Sequence, residues 1–328
     1  MNKFGVKILG TGSYVPEKIL TNADLAKIVD TSDDWITQRT GMKERHITDK
    51  HTATSDLSIR ASQKAIEDAH LTPADIDAII VATITPDMFF PSTACFVQKG
   101  LGAVNAHAFD ISAACSGFIY GLSIAKDSIE NGSAKNVLLI GAECLTKHTD
   151  WSDRNTCVLF GDGAGAIILG RTDEPSAILS TYLGADGNYW ELLYNPGGGS
   201  RNPPSQKNID EHLNFIKMKG KEVFKIAVTK MSEAAEKAIE KANLKFSDLA
   251  LLIPHQANMR IIEAIARKAE FPMDKVYINL HKYGNMSSAT TIVALDEARK
   301  EGKVKQGDIV ELVAFGGGFT WAAAVIKL

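Results

Sequence analysis

Long hydrophobic runs are missing from this 328-residue chain. Its most apolar stretches, Asp77 to Ala82 and Ala164 to Leu169, fall far short of the roughly 20 residues that a membrane-spanning helix needs. The segment Met1 to Gly5 carries a charge but no apolar core or cleavage site of a secretion signal, so the expected compartment is the cytoplasm, with no membrane partner. An excess of one charge is also missing. Lys and Arg number 36 against 39 Asp and Glu, a net charge of −3, which argues against nucleic acid as a partner and makes any anion site a local one. Cysteine is scarce. Cys95, Cys115, Cys144 and Cys157 form no CxxC pair, so neither a zinc site nor a redox dithiol is expected, and in a reducing compartment all four are free thiols.

What is present centres on Phe109 to Phe118. A strand-like run ends at Asp110, the small residues Ser112, Ala113, Ala114, Ser116 and Gly117 permit a tight turn, and a helical pattern through Phe118, Leu122, Ala125 and Ile129 starts at Cys115. A cysteine on the first turn of a helix faces unpaired N–H groups and the positive end of the helix dipole, both of which favour thiolate. A lone cysteine in an apolar run is more often a packing residue, so the weight of this reading comes from the rest of the chain.

The chain repeats itself. Lys64 to Leu71 matches Lys237 to Leu244, and at the same offset of 173 Asp75 falls on Asp248, Leu122 and Ala125 on Leu295 and Ala298, and strand 135–142 on 308–315. A period this long implies two similar α/β halves, 1–175 and 176–328, rather than a solenoid. The offset places Cys115 on Ser288, His255 on Ala82 and Asn285 on Ser112. All three candidate residues then lie at strand ends or helix starts, the edges where α/β sheets host ligands. Local readings are a strand over 4–14 followed by a Gly-containing turn at Gly10 to Ser13, a helix over Thr21 to Val29, a Gly-rich turn into or between strands over Phe160 to Leu169, and a flexible surface loop over 190–208.

His255 follows an apolar strand ending in Pro254, beside Gln256, Asn258 and Arg260. A single His there is more often structural, but that polar cluster lowers the odds. Asn285 follows Gly284 before a helix, which is also ordinary turn chemistry. Gly316, Gly317 and Gly318 let backbone N–H groups approach a bound group; a glycine bulge between paired strands is the plain alternative. Lys217, Lys219, Lys221 and Lys225 read as a solvated face, or, with Trp35, Arg39, Arg154 and Arg260, as a site for phosphate, an adenine ring or an acidic partner.

These motifs together resemble the β-ketoacyl-acyl-carrier-protein synthase III family. They are Ser32 to Arg45, Asp110 to Gly117, Asp153 to Asn155, Leu159 to Gly165, Gly220 to Lys225, His255 to Arg260, Gly284 with Asn285, and Phe315 to Trp321, spread in order over nearly the whole chain. Met286 stands where Thr is usual, Ala322 where Gly is usual, and the 190–208 loop is longer than typical. The resemblance implies a thiolase-like five-layered α-β-α-β-α fold and an enzyme that starts type II fatty-acid synthesis as a homodimer, with no cofactor and no metal. It implies Cys115 as nucleophile, the N–H groups of Cys115 and Gly317 as oxyanion hole, and His255 with Asn285 as donors to a malonyl thioester. It further implies that Trp35, Arg39, Phe90, Arg154, Phe224 and Asn258 contact CoA and substrate, Phe90 from the neighbouring subunit. Lys225, Gln256, Ala257, Asn258, Met259 and Arg260 would face acyl carrier protein. The rivals are a related secondary-metabolism synthase with another primer or acceptor, a catalytically silent carrier-binding module, and a nucleotide-binding protein.

Overall fold

A computed structural model describes residues 4–328. Its two main sheets share one plan. In the first, β1 (Gly5–Tyr14), β2 (Ala78–Ala82), β3 (His107–Ile111), β4 (Asn136–Cys144) and β5 (Asp162–Thr172) lie in the order β1-β5-β4-β2-β3. In the second, β6 (Ile178–Ala185), β7 (Leu251–Pro254), β8 (Ile309–Gly316) and β9 (Thr320–Lys327) lie in the order β6-β9-β8-β7. The orders coincide strand for strand, except that the second sheet lacks a counterpart of β3. From the β1 or β6 edge, each sheet pairs its first three strands antiparallel and the following ones parallel, β4 with β2 and β2 with β3 in the first sheet, β8 with β7 in the second. The offset of 173 reaches individual backbone angles. His70 and Asn243 have φ of 53° and 55°, and Ala114 and Ser287 have φ of 47° and 45°.

Six helices complete the layers: α1 (Thr54–Asp68), α2 (Thr93–Leu101), α3 (Gly117–Glu130), α4 (Gly220–Lys241), α5 (Met259–Lys268) and α6 (Ala289–Lys300). The three largest apolar cores follow from three helical layers. Leu57, Ala61 and Ala65 of α1 and Val97 of α2 pack on one face of the first sheet. Ala227, Ala234 and Ala238 of α4 and Ile262 and Ile265 of α5 pack on the outer face of the second. Between the sheets, Phe118, Leu122 and Ala125 of α3 and Ile292, Leu295 and Ala298 of α6 pack against Ile80 and Leu139 on one side and Ile253 and Leu312 on the other. Strands covered on both faces read as unbroken apolar runs, which is why β4 and β8 stand out in the sequence. Among the described residues no helix is long and apolar enough to cross a membrane.

Three local expectations are corrected. Gly10 to Ser13 is not a turn: β1 runs through it with a bulge between Ile8 and Gly10. The glycines serve close packing, since a Cβ at Gly10 would stand 2.5 Å from Ala69 N and one at Gly12 2.4 Å from Ala61 O, both on or just beyond α1. Gly163 and Gly165 likewise lie inside β5, and a Cβ at Gly165 would meet Ile292 of α6 at 2.5 Å. The helix expected over Thr21 to Val29 is the single turn Asn22–Leu25, capped by Thr21. The 190–208 segment holds a two-residue strand, Leu193–Tyr194, paired with Lys217–Met218. Asn208 ties its short helix Gln206–Asp210 back to the carbonyls of Asn202 and Pro203.

Candidate active site

The nucleophile turn is built from both halves. Cys115 sits in a 3₁₀ turn, Ala114–Ser116, immediately before α3. The end of β8 lies against it: a Cβ at Gly316 would stand 2.5 Å from Cys115 N and 2.9 Å from Ala114 Cβ. The following Gly317-Gly318 turn is stitched to the same loop, with Thr320 Oγ1 donating to Ala113 O (2.8 Å) and Ser116 Oγ donating to Thr320 O (3.2 Å). Backbone cannot yield as a flexible side chain does. Gly316→Ala is therefore expected to destabilise the protein by about 1–3 kcal/mol and to displace Cys115, read as a lower melting temperature together with lost thiol reactivity.

His255 and Asn285 reach the same place from the second half. β7 ends at Pro254, and the His255 N–H donates to Val313 O of β8 (2.7 Å). The ring is buried, which pushes its pKa down to about 3, so it is neutral at neutral pH. Nδ1 lies 2.6 Å from Thr290 Oγ1 on α6. Asn285 is pinned through its backbone, its N–H donating to Leu159 O (2.8 Å) and its carbonyl accepting from Gly161 N (3.0 Å). Its Oδ1 accepts from Ser287 N (2.8 Å). With the oxygen so occupied, the amide NH₂ is the group left for the cavity that Asn285 lines.

The expectation of a thiolate at Cys115 is overturned. The residue is only 8 % exposed. Burial pushes the thiol up to about 12, and the nearby Glu143 carboxyl adds to the rise; the Ser287 hydroxyl and the residue's own N–H pull the other way without reversing it. Desolvation outweighs the helix start because the low-dielectric surroundings disfavour the charged form of the sulfur. Substrate-free protein therefore holds a neutral thiol and a neutral imidazole on the wall of one cavity. Inactivation by iodoacetamide should rise about tenfold per pH unit from pH 7 to 9; a plateau below pH 8 would instead reveal a thiolate–imidazolium pair.

Cys115, His255, Asn285 and Gly317 line one cavity of about 1300 Å³, together with Trp35, Arg39, Phe224, Lys225, Ala257, Asn258 and Arg260. Its deep end is apolar, with Leu145, Phe160, Leu193 and Ile216. Its mouth carries the exposed Lys219, Lys221, Lys225 and Arg260. At the rim, the guanidinium carbons of Arg39 and Arg154 stand 4.5 and 4.8 Å from the Trp35 ring centroid, and Arg154 donates to Asp30 O (2.8 Å). Arg154 itself does not line the cavity.

Two of the residues expected to face a carrier protein, Gln256 and Met259, lie elsewhere. Gln256 is 1 % exposed, its amide donating to Pro254 O and Tyr277 O and accepting from Asn279 N and Leu280 N, so it braces the His255 loop and offers nothing to a docking partner. Met259 packs over Gly41 and the outer core rather than lining the cavity. Phe90 is 84 % exposed, next to exposed Phe89 and Met88, and does not enter the cavity of its own chain. Met286 is buried against Ala289 and Val293, so its side chain packs in the core and does not alter the cavity wall.

Sequence reasoning missed the supporting residues. Arg45 is fully buried, donating to Asn22 Oδ1 (2.6 Å) and Val158 O (2.5 Å) beneath the Asn285 loop, and burial lowers its pKa to about 10. Glu143 is the penultimate residue of the apolar strand β4. It accepts from Thr85 Oγ1 (2.7 Å), Ile84 N (3.1 Å) and Ser288 Oγ (3.1 Å), and burial raises its pKa to about 7. A charged residue inside an apolar strand was the available signal; nothing in the sequence singled out Thr290.

Models of 3-oxoacyl-[acyl-carrier-protein] synthase III match residues 109–187 and, for its C-terminal part, residues 239–328. The β-ketoacyl-[acyl-carrier-protein] synthase III of Caldanaerobacter subterraneus is 59 % identical over 325 residues, 99 % of this chain and 98 % of that protein. The chain belongs to the β-ketoacyl-acyl-carrier-protein synthase III family. As a member of that family it is a condensing acyltransferase. The crystal structure of the Aquifex aeolicus synthase III aligns over 99 % of this chain and all of that one, at 51 % identity and a TM-score of 0.92. A priming β-ketosynthase of a polyketide pathway aligns over 100 % and 97 %, at 34 % identity and a TM-score of 0.93. The thiolase-like fold of doubled halves stands on both counts.

Proposed function

We propose that the protein initiates fatty-acid synthesis by joining an acyl-CoA primer, most simply acetyl-CoA, to malonyl-acyl-carrier-protein, releasing CoA and CO₂. The observation that carries this reading is the convergence of Cys115, His255 and Asn285 on one deep cavity with an apolar end and a basic mouth. Cys115 attacks the primer thioester and keeps the acyl group, while the N–H groups of Cys115 and Gly317 hold the oxyanion. After CoA leaves, His255 and Asn285 donate hydrogen bonds to the malonyl thioester oxygen. Loss of CO₂ leaves an enolate there, and its carbon attacks acyl-Cys115 to give the β-ketoacyl carrier protein. Donors without negative charge suit this step, because a carboxylate would repel both malonate and enolate.

Trp35, Arg39 and Arg154 form the contact set for the adenine and phosphates of CoA, with Phe224 and Asn258 along the pantetheine arm. Lys225 and Arg260, flanked by Ala257 and Asn258, present positive charge to the acidic carrier protein. Phe90, exposed on its own chain, is assigned to the pocket of the second subunit of a homodimer. The reading needs no further cofactor, places the enzyme in the cytoplasm, and divides the halves at 175/176. The test is acetyl-CoA followed by malonyl carrier protein. Expected are an acetyl adduct on Cys115 by mass, then CO₂ with a new carbon–carbon bond. An adduct that survives Cys115→Ser, or acyl transfer without CO₂, would contradict the reading. A panel of acyl-CoA primers separates fatty-acid initiation from a polyketide-type starter role.

A further inference from the structure

The Thr290 hydroxyl stands between the site and its scaffold. It lies 2.6 Å from His255 Nδ1 and 3.0 Å from Ser287 O, and the residue is fully buried. A hydroxyl has one proton to give and can accept as well. The Ser287 carbonyl can only accept. With the Thr290 proton on that carbonyl, Oγ1 accepts from Nδ1–H, and every polar hydrogen in the group has a protein partner. The ring then presents a bare Nε2 to the cavity where the Cys115 thiol sits. The opposite arrangement spends the hydroxyl proton on Nδ1 and puts Nε2–H in the cavity, where it offers no acceptor to a protonated thiol lining the same space.

We propose that Thr290 is a positioning residue that fixes the Nδ1–H tautomer of His255 and so makes Nε2 the base for the Cys115 thiol. This rests on the condensing reaction proposed above, and it names the group that orients the base, the third part a nucleophile–base pair requires. The proton is accounted for throughout. Nε2 takes it from the thiol as sulfur bonds to the primer carbonyl carbon. CoA departs as thiolate and is protonated by solvent. The ring, now N–H at both nitrogens, keeps its Nδ1–H on Thr290 and donates Nε2–H to the malonyl oxygen. When the β-ketoacyl product leaves, the Cys115 thiolate recovers the proton from Nε2.

The residue is read through tautomer and rate together. On full-length, substrate-free protein with ¹⁵N-labelled histidine at pH 7.5, long-range ¹H–¹⁵N correlations show which ring nitrogen carries the proton, with His255 assigned by its loss in His255→Gln. The expected result is Nδ1–H in the wild type and in Thr290→Ser, and a shift toward Nε2–H in Thr290→Val. Single-turnover acylation by acetyl-CoA should fall at least about tenfold in Thr290→Val and stay near wild type in Thr290→Ser. An Nε2–H ring in the wild type overturns the proposal even if Thr290→Val does not fold. So does a folded Thr290→Val with unchanged rate, or a folded Thr290→Ser as slow as Thr290→Val, which would make the role one of packing. The tautomer measurement needs no substrate. A wild type that takes no acyl group would therefore sink the proposed reaction while leaving the assignment of Thr290 to stand or fall on the spectra.

Discussion

Asn285→Asp should acylate Cys115 at close to the wild-type rate and yet release CO₂ from malonyl carrier protein at least about a thousandfold more slowly. The choice of Asp follows from the hydrogen bonds. Asn285 Oδ1 accepts the Ser287 N–H, and a carboxylate keeps that acceptor, so the turn leading to Ser287, Ser288 and Thr290 is preserved. What disappears is the NH₂ donor. Losing one donor to a developing oxyanion costs about 10²–10³ in rate, and a negative oxygen in its place opposes the enolate further. Asn285→Ala would cut both the donor and the brace, and so distinguishes less. The two half-reactions are measured separately, adduct mass for the first and labelled CO₂ for the second. Equal losses in both would show that Asn285 supports the site generally and does not serve the malonyl oxygen.

The second large effect is on stability. Glu311 lies inside β8, is fully buried, and neither carboxylate oxygen has a hydrogen-bond partner among the described residues. It shares a strand face with Val313 and Phe315, which belong to the outer apolar core beneath α4 and α5. Burial raises its pKa well above the usual carboxylate range. The sign follows from linkage: the folded protein holds a proton that the unfolded chain gives up above about pH 4.3, so stability falls as pH rises from there toward the folded-state pKa. Glu143, also raised, adds a slope of the same sign up to about pH 7. Glu311→Leu removes one of the two. It should stabilise the protein by about 2–4 kcal/mol at pH 8 and flatten the decline in melting temperature between pH 5 and 8. A variant no more stable than wild type at pH 8 would mean that the carboxylate finds a partner in solution.

Much of the architecture could be read from the chain because it is written twice. The match of Lys64 to Leu71 with Lys237 to Leu244 returns as α1 and α4, and the run at 135–142 and its image at 308–315 return as β4 and β8. Apolar strands buried on both faces and helices with one apolar stripe announce themselves through composition. The glycines misled. Gly10, Gly12, Gly163 and Gly165 looked like turns, yet each lies inside a strand where backbone or side chains of another segment come within a Cβ's reach. Local sequence cannot separate a glycine that bends the chain from one that makes room for a distant element.

The order of residues by itself determined the doubled α/β plan, the position of Cys115, His255 and Asn285 at element ends, and the basic run around Gly220. Only the tertiary structure decided the state of those groups. Burial turned an expected thiolate into a neutral thiol, sent Gln256 inward as a brace, and set Thr290 against the histidine ring. Patterning is a property of neighbours along the chain, whereas desolvation and hydrogen-bond geometry depend on atoms that sequence holds far apart and packing brings within 3 Å, as in Thr320 on Ala113, 207 residues away.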